Sequence, residues 1–159
     1  MLNVKLISVG SLKESYLKDA IAEYSKRLSA FCNLEIIELK EYKLPDNPSD
    51  SDIAKALADE AERINKAIPQ KAYKITLCVE GKQFSSEELA QKIEEISMIS
   101  GTLCLIIGSS HGIDGSLKSA SDLRLSVSKL TFPHQLMRVM LLEIIYRAMN
   151  ITKGTKYHK

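Results

Sequence analysis

No apolar run in this chain of 159 residues approaches the ~20 residues of a membrane-spanning helix, which argues against a helical membrane protein. The opening stretch from Met1 to Val9 has a short apolar run, but no basic segment precedes it and no small-residue cleavage site follows. It reads as a first strand and not as a signal peptide. Cysteine is scarce: Cys32, Cys78 and Cys104 fall at no metal or redox spacing. Cys78 and Cys104 lie inside apolar runs of buried-strand type, where a free thiol acts as a small hydrophobe. His111, His134 and His158 are far apart and outside any HExxH pattern, so no metal is expected. There is no GxGxxG run and no Walker lysine, which speaks against a dinucleotide or nucleoside triphosphate site. Internal repeats and low-complexity stretches are also missing. These absences leave one soluble, cytoplasmic domain spanning 1–159, without membrane or metal partners.

Charge is nearly balanced overall, at +2, yet unevenly distributed. From Arg124 to Lys159 the chain carries seven bases (Arg124, Lys129, Arg138, Arg147, Lys153, Lys156, Lys159) against one acid, Glu143. The preceding residues hold 15 bases and 19 acids. A local field of this sign attracts phosphate.

Hydrophobic periodicity organises the rest. Leu2–Val9 reads as a strand, and Leu17, Ala20, Ile21, Tyr24, Leu28 and Phe31 recur at helical spacing. A second strand is predicted over 34–39, followed by a loop over 40–50 that is either a lid or contact surface or a solvated connector. Ile53, Leu57, Ala61, Ile64 and Ile68 define a second helix, stopped by Pro69. A strand over 73–80 leads to Gly81. Ser85 with Glu88 forms a capping box for a helix to about Ser97. Thr102–Ile107 is apolar without alternation, as in a strand covered on both faces. A short strand over 123–126 precedes a long helix that Pro133 starts and that runs to about Asn150. Alternating strands and helices predict an α/β fold with a largely parallel sheet flanked by helices.

Ligands of such sheets gather beyond the carboxyl ends of the strands. Three loops qualify: the one after Leu77, Cys78 and Val79; the turn from Gly108 to Gly112; and the stretch from Val127 to Phe132. Thr131 could serve a ligand or cap the helix, and His134, in the first helical turn, could be structural or ligand-facing. The last helix is apolar almost all round, which predicts burial on more than one side. Either a second subunit covers one side, giving a homodimer, or the helix is sandwiched within one chain.

The run Thr131-Phe132-Pro133-His134-Gln135-Leu136-Met137-Arg138-Val139, then Glu143-Ile144-Ile145-Tyr146-Arg147-Ala148, then the terminal Tyr157-His158-Lys159, resembles the RlmH family of SPOUT-class methyltransferases. The likeness continues through Glu23-Tyr24, Gly81-Lys82 and Leu105-Ile106-Ile107-Gly108. It implies a C-terminal trefoil knot, a tight homodimer and S-adenosyl-L-methionine as methyl donor. It also implies methylation of N3 of a pseudouridine in helix 69 of 23S rRNA, on the assembled 70S ribosome. By matching position it assigns the cofactor to Leu77, Gly108, Val127, Ser128, Lys129, Leu130, Thr131 and Phe132. Arg147, Tyr157 and His158 would be catalytic, with His134, Arg138, Lys153, Lys156 and Lys159 toward RNA. His158 is the plausible proton acceptor, Arg147 a stabiliser of developing negative charge, and Tyr157 a stacking ring. Where the family usually has a second glycine after Gly108, this chain has Ser109. A serine held at positive φ would cost about 1 kcal/mol there. The rival readings are a SPOUT-type enzyme for another rRNA or tRNA nucleotide, and a non-catalytic module that binds cofactor or RNA.

Overall fold

Five strands alternate with five helices in a computed structural model that describes residues 1–159. The strands are β1 (Leu2–Val9), β2 (Cys32–Leu39), β3 (Tyr73–Lys82), β4 (Thr102–Ile107) and β5 (Leu123–Leu125). All pair in parallel, in the order β2-β1-β4-β3-β5. The helices are α1 (Ser15–Leu28), α2 (Asp50–Ala67), α3 (Ser86–Ile99), α4 (Gly115–Ala120) and α5 (His134–Thr152).

The central strands explain their own composition. Successive side chains of a strand point to opposite faces. In β1, Val4 and Leu6 join one core cluster, while Ile7 and Val9 join the other. In β4, Leu103, Leu105 and Ile107 face the first cluster and Cys104 and Ile106 the second. Leu28 of α1, Leu89, Ile93 and Ile96 of α3, and Leu141, Leu142 and Ile145 of α5 complete the first layer. Ile64 of α2 and Leu117 of α4 complete the other. The result is a three-layer α/β/α domain.

Several local expectations need adjustment. The first helix stops at Leu28, and Phe31 sits beyond it, edge-on to Tyr146 at 5.7 Å between ring centroids. The helix α4 has only six residues, too few to show a period in sequence. Pro133 occupies the N-cap position of α5 and no side chain caps that helix, so Thr131 is not its cap. The loop after β2 is tied down: the buried Glu60 accepts the Tyr42 N–H at 3.2 Å, and Arg63 donates to the Lys40 carbonyl. This fits a fixed connector better than a lid.

The apolar girth of α5 has a mostly internal cause. It lies between α1 and α3 over the sheet, which buries Leu141, Leu142, Ile145, Ala148 and Met149. Its outward stripe is Leu136, Met140, Glu143 and Arg147, with Leu136 38% exposed.

Candidate active site

Beyond the carboxyl ends of β3, β4 and β5 lies a cavity of about 590 Å³. This is within the ~300–1,000 Å³ typical of small-molecule sites. Three strand ends meet there: Leu77 to Glu80 in the last part of β3, Ile107 to Ser110 at the end of β4, and Leu125, Val127 and Ser128 at the end of β5. The turns after β4 and β5 are two of the loops singled out above, whereas the segment expected to be a loop after Val79 is strand as far as Lys82, and its Gly81 lies off the cavity. Leu130, Thr131, Phe132, Pro133, His134 and Met137 close the wall where the chain turns into α5.

The turn after β4 is shaped by glycine. A Cβ on Gly108 would stand 2.2 Å from the Gly112 carbonyl oxygen and 2.6 Å from Ile113, so no larger residue fits. Gly112 carries the positive φ of +92°, and its N–H donates to the Ser109 carbonyl at 2.9 Å. Ser109 itself has no positive φ. The serine therefore carries no left-handed strain, and this departure from the family pattern is harmless to the turn.

The third loop supplies backbone donors. Leu130 N–H is held by Ser128 Oγ at 3.0 Å, and Ser126 Oγ donates to the Ser128 carbonyl at 3.0 Å. The Thr131 and Phe132 N–H groups have no partner within the chain. An apolar floor (Leu77, Ile107, Leu125, Phe132, Met137) with a rim of backbone donors and hydroxyls suits a ligand with a flat apolar body and a polar end. These residues fit S-adenosyl-L-methionine: the floor would take the adenine ring and the loop groups the ribose and amino-acid end.

Of the residues assigned to the cofactor by resemblance, Leu77, Gly108, Val127, Ser128, Leu130, Thr131 and Phe132 line the cavity. Lys129 does not; it is exposed on the outer side of its loop. His134 lines the wall. Burial, and secondarily the Arg138 charge, hold its imidazole below the usual histidine pKa, so it enters the site as a neutral hydrogen-bonding group.

Arg138 is placed differently from its assignment to RNA. Its side chain is 1% exposed, with Nη1 donating to Glu38 at 2.9 Å and Nη2 to the carbonyls of Val9 at 2.9 Å and Gly10 at 3.0 Å. It pins the start of α5 to the ends of β1 and β2, and no phosphate can reach it. Lys153, Lys156 and Lys159 are exposed beyond the far end of α5.

Arg147, Tyr157 and His158 do come together, but away from the cavity of their own chain. Glu143 Oε1 accepts from Arg147 Nε at 3.0 Å and Nη2 at 2.7 Å, and its Oε2 accepts from the Tyr157 hydroxyl at 2.8 Å. Burial would raise Glu143, but hydrogen bonds from Tyr24, Tyr157 and Arg147 bring its carboxyl below the ordinary range. Arg147 lies 4.8 Å over the Tyr157 ring. His158 is held from both sides: Arg147 Nη1 is 3.3 Å from Nδ1, and Nε2 is 2.9 Å from Glu87. A guanidinium can only donate and a carboxylate only accept, so these contacts assign the tautomer with the proton on Nε2.

The sequence reading missed several wall residues. Cys78, Val79, Glu80, Ile113, Lys118 and Met137 line the cavity without having been assigned to it. Cys78 was read as core, yet it is half-buried on the cavity wall, because β3 runs on past its pairing with β4. Burial first, then Glu80, raises its thiol above the usual value, so it is no ready nucleophile. Burial pushes Cys32 and Cys104 up to about 11. Cys78, Val79 and Glu80 already lay within the predicted strand; what the sequence did not show is that this strand leaves β4 after Thr76 and turns its last residues to the cavity. Lys118 gave no signal, since α4 itself was invisible.

A parallel sheet with a cavity at its carboxyl edge, closed by the segment leading into a C-terminal helix, defines an α/β protein with a small-molecule-sized site at the usual place for such sheets. The family model described as "Predicted SPOUT methyltransferase" matches residues 2–158, and the chain belongs to this family. The relatives give a narrower grouping. Ribosomal RNA large subunit methyltransferase H of Bifidobacterium adolescentis is 51% identical, over 99% of this chain and 100% of that protein. The protein of the same name from Leuconostoc mesenteroides is 47% identical with the same coverage. A methylase family protein of Haemophilus influenzae Rd KW20 shares the fold at a TM-score of 0.60 and 11% identity, over 99% of this chain and 71% of that one.

Proposed function

We propose that this chain methylates N3 of a pseudouridine in helix 69 of 23S rRNA, on the assembled 70S ribosome, with S-adenosyl-L-methionine held in the 590 Å³ cavity. The observation that carries the reading is the meeting of three strand ends around one apolar-floored cavity, in a chain alike over its whole length to relatives named for rRNA methylation. When bound, the cofactor supplies a methyl group activated on sulfonium sulfur. The residues of this chain have then to align the target base and receive its N3 proton.

The tail offers the chemistry the cavity lacks. Arg147 can stabilise negative charge on the carbonyl oxygens flanking N3, and Tyr157 offers a ring for an unstacked base. His158 is the proton acceptor. Arg147 Nη1 and Glu87 Oε1, on either side of its ring, set the orientation of the imidazole. None of the three lines the cavity of its own chain. The reading therefore includes a homodimer in which one chain's tail completes its partner's cavity. The outward α5 stripe at Leu136 and Met140, with Leu130 70% exposed beside the cavity, is the apolar surface available for that contact. The trefoil path of the C-terminal segment and a cytoplasmic location belong to the same reading. A cofactor binder without chemistry loses its one supporting feature, since Ser109 is unstrained.

The test is incubation with tritiated S-adenosyl-L-methionine and 70S ribosomes lacking the modification, beside isolated 23S rRNA, with the label mapped by mass spectrometry. Label on one helix 69 pseudouridine in the ribosome sample is expected. Cofactor binding with no label in either sample would sink the enzyme reading.

A further inference from the structure

Glu80 and Lys118 stand on the rim of the cavity, and past them the surface continues into a second depression of about 530 Å³. Its walls are polar apart from Leu123. Three cations line it, Lys82, Lys118 and Arg124, together with two acids, Glu80 and Asp122. Both acids already have a partner, Glu80 within the groove itself. Glu80 accepts Lys118 Nζ at 2.6 Å, and Asp122 Oδ2 accepts the backbone N–H of Lys74 at 2.7 Å. Lys82 and Arg124 form no ion pair; Lys82 Nζ instead rests 4.8 Å from the centre of the Phe84 ring.

The backbone beneath these two cations is locked. Lys82 pairs with Leu125 beyond a shift in register, and the Ser126 N–H donates to the Lys82 carbonyl at 2.9 Å. Gly81 lies so close to the next strand that a Cβ there would meet the Arg124 carbonyl oxygen at 2.7 Å. Two cations without an ion-pair partner, on adjacent strands joined by backbone hydrogen bonds, leave the groove with a net excess of one positive charge over its two acids and form an anion site. Their origin differs from the basic C-terminal segment read in the sequence: Lys82 lies outside it and is brought to Arg124 by strand pairing.

We infer that this groove is a phosphate-binding subsite for the RNA strand flanking the target nucleotide, with Lys82 and Arg124 each engaging a backbone phosphate. The inference rests on the RNA methyltransferase reading above. A nucleotide presented at the cavity mouth carries a phosphate on each side, and the groove opens from the same rim at Glu80 and Lys118. The contacts position the strand and carry no base sequence.

The variants to test are Lys82→Glu, Arg124→Glu and their combination, with Lys82→Met and Arg124→Met as milder forms in case charge reversal disturbs folding. Neither residue lines the cofactor cavity, so calorimetric affinity for S-adenosylhomocysteine should stay within about twofold and report an intact fold. Affinity for a short hairpin RNA carrying the target loop is measured against salt. The double reversal should weaken it about tenfold or more, and the double Met form should reduce the log–log salt slope by about 1.5. The inference is overturned if hairpin affinity and slope match the wild type while S-adenosylhomocysteine still binds. It is also overturned if the wild-type chain shows no salt-dependent RNA binding. Lost turnover on ribosomes with unchanged hairpin binding would assign the groove to a ribosomal protein instead. A wild-type chain that binds hairpin through Lys82 and Arg124 but never transfers methyl would sink the enzyme reading and leave the groove standing.

Discussion

Arg138 puts a guanidinium at 1% exposure and answers it with two carbonyls and one carboxylate. Removing it would leave the Val9 and Gly10 carbonyls short of a donor at the sheet's edge, whereas Glu38, at 44% exposure, can turn to water. Arg138→Met is therefore expected to cost about 2–4 kcal/mol in urea denaturation. The exposed Lys153→Met should stay within about 0.5 kcal/mol. Were both losses equally small, the pin would be ornamental. His134 sits one turn before Arg138, and its depressed pKa has a signed consequence. The folded chain binds fewer protons there than the unfolded chain, so stability is full above the unfolded value near 6.5 and falls as pH drops toward the lower folded value. His134→Asn should flatten the stability–pH curve in that window, read by thermal unfolding in steps from pH 7.5 to about 5. Both residues show what a sequence hides. Arg138 looked like a surface base in a basic segment, because its partners lie 100 to 129 residues away. A signal was nevertheless present: it shares an i, i+3, i+7 face with Leu141 and Ile145, which are core residues.

At the level of elements, β4 was legible because two-sided burial writes a continuous apolar run into it, and β1 because its apolar residues cluster toward Val9 despite Asn3, Lys5 and Ser8. The cap of α3 was legible because Ser85 and Glu88 form the reciprocal box that the spacing suggests. The start of α2 uses the same device with Asp52 in place of Glu or Gln, and it passed unnoticed. The girth of α5 was legible as burial, but its cause was not, since flanking by α1 and α3 cannot be separated from contact with a second chain by composition. The outward stripe now separates them. Leu136 and Met140 face away from their own core, and in the proposed homodimer each would bury a side chain worth about 1.5–3 kcal/mol. Placing a carboxylate there would add a desolvation cost. Met140→Asp combined with Leu136→Asp should therefore convert a dimer into monomers in sedimentation velocity at micromolar concentration, with helix content unchanged by circular dichroism. A dimer that survives both changes would put the interface on another face.

Across the whole molecule, the positive charge that looked like one segment is dispersed by the fold. Arg138 is buried, Arg147 is paired with Glu143, Arg124 joins Lys82 in the groove, and the tail lysines stand at the other end of α5. The cavity and the tail cluster are likewise apart: Met137 and Arg147 are about 15 Å from each other along the helix axis. In the proposed reaction both halves are needed, and the question is whether a tail serves its own cavity or its partner's. Subunit mixing decides it. One chain would carry Gly108→Val, which the Gly112 carbonyl 2.2 Å from the added Cβ should make unable to bind cofactor. The other would lack Tyr157, His158 and Lys159. Each homodimer should be inactive, the first failing to bind S-adenosylhomocysteine and the second binding it normally. If tails act across the dimer, a mixed dimer pairs one intact cavity with one intact tail, and refolding the two chains together at equal amounts restores about a quarter of wild-type turnover. If each tail serves its own chain, every species in the mixture is dead and turnover stays at background.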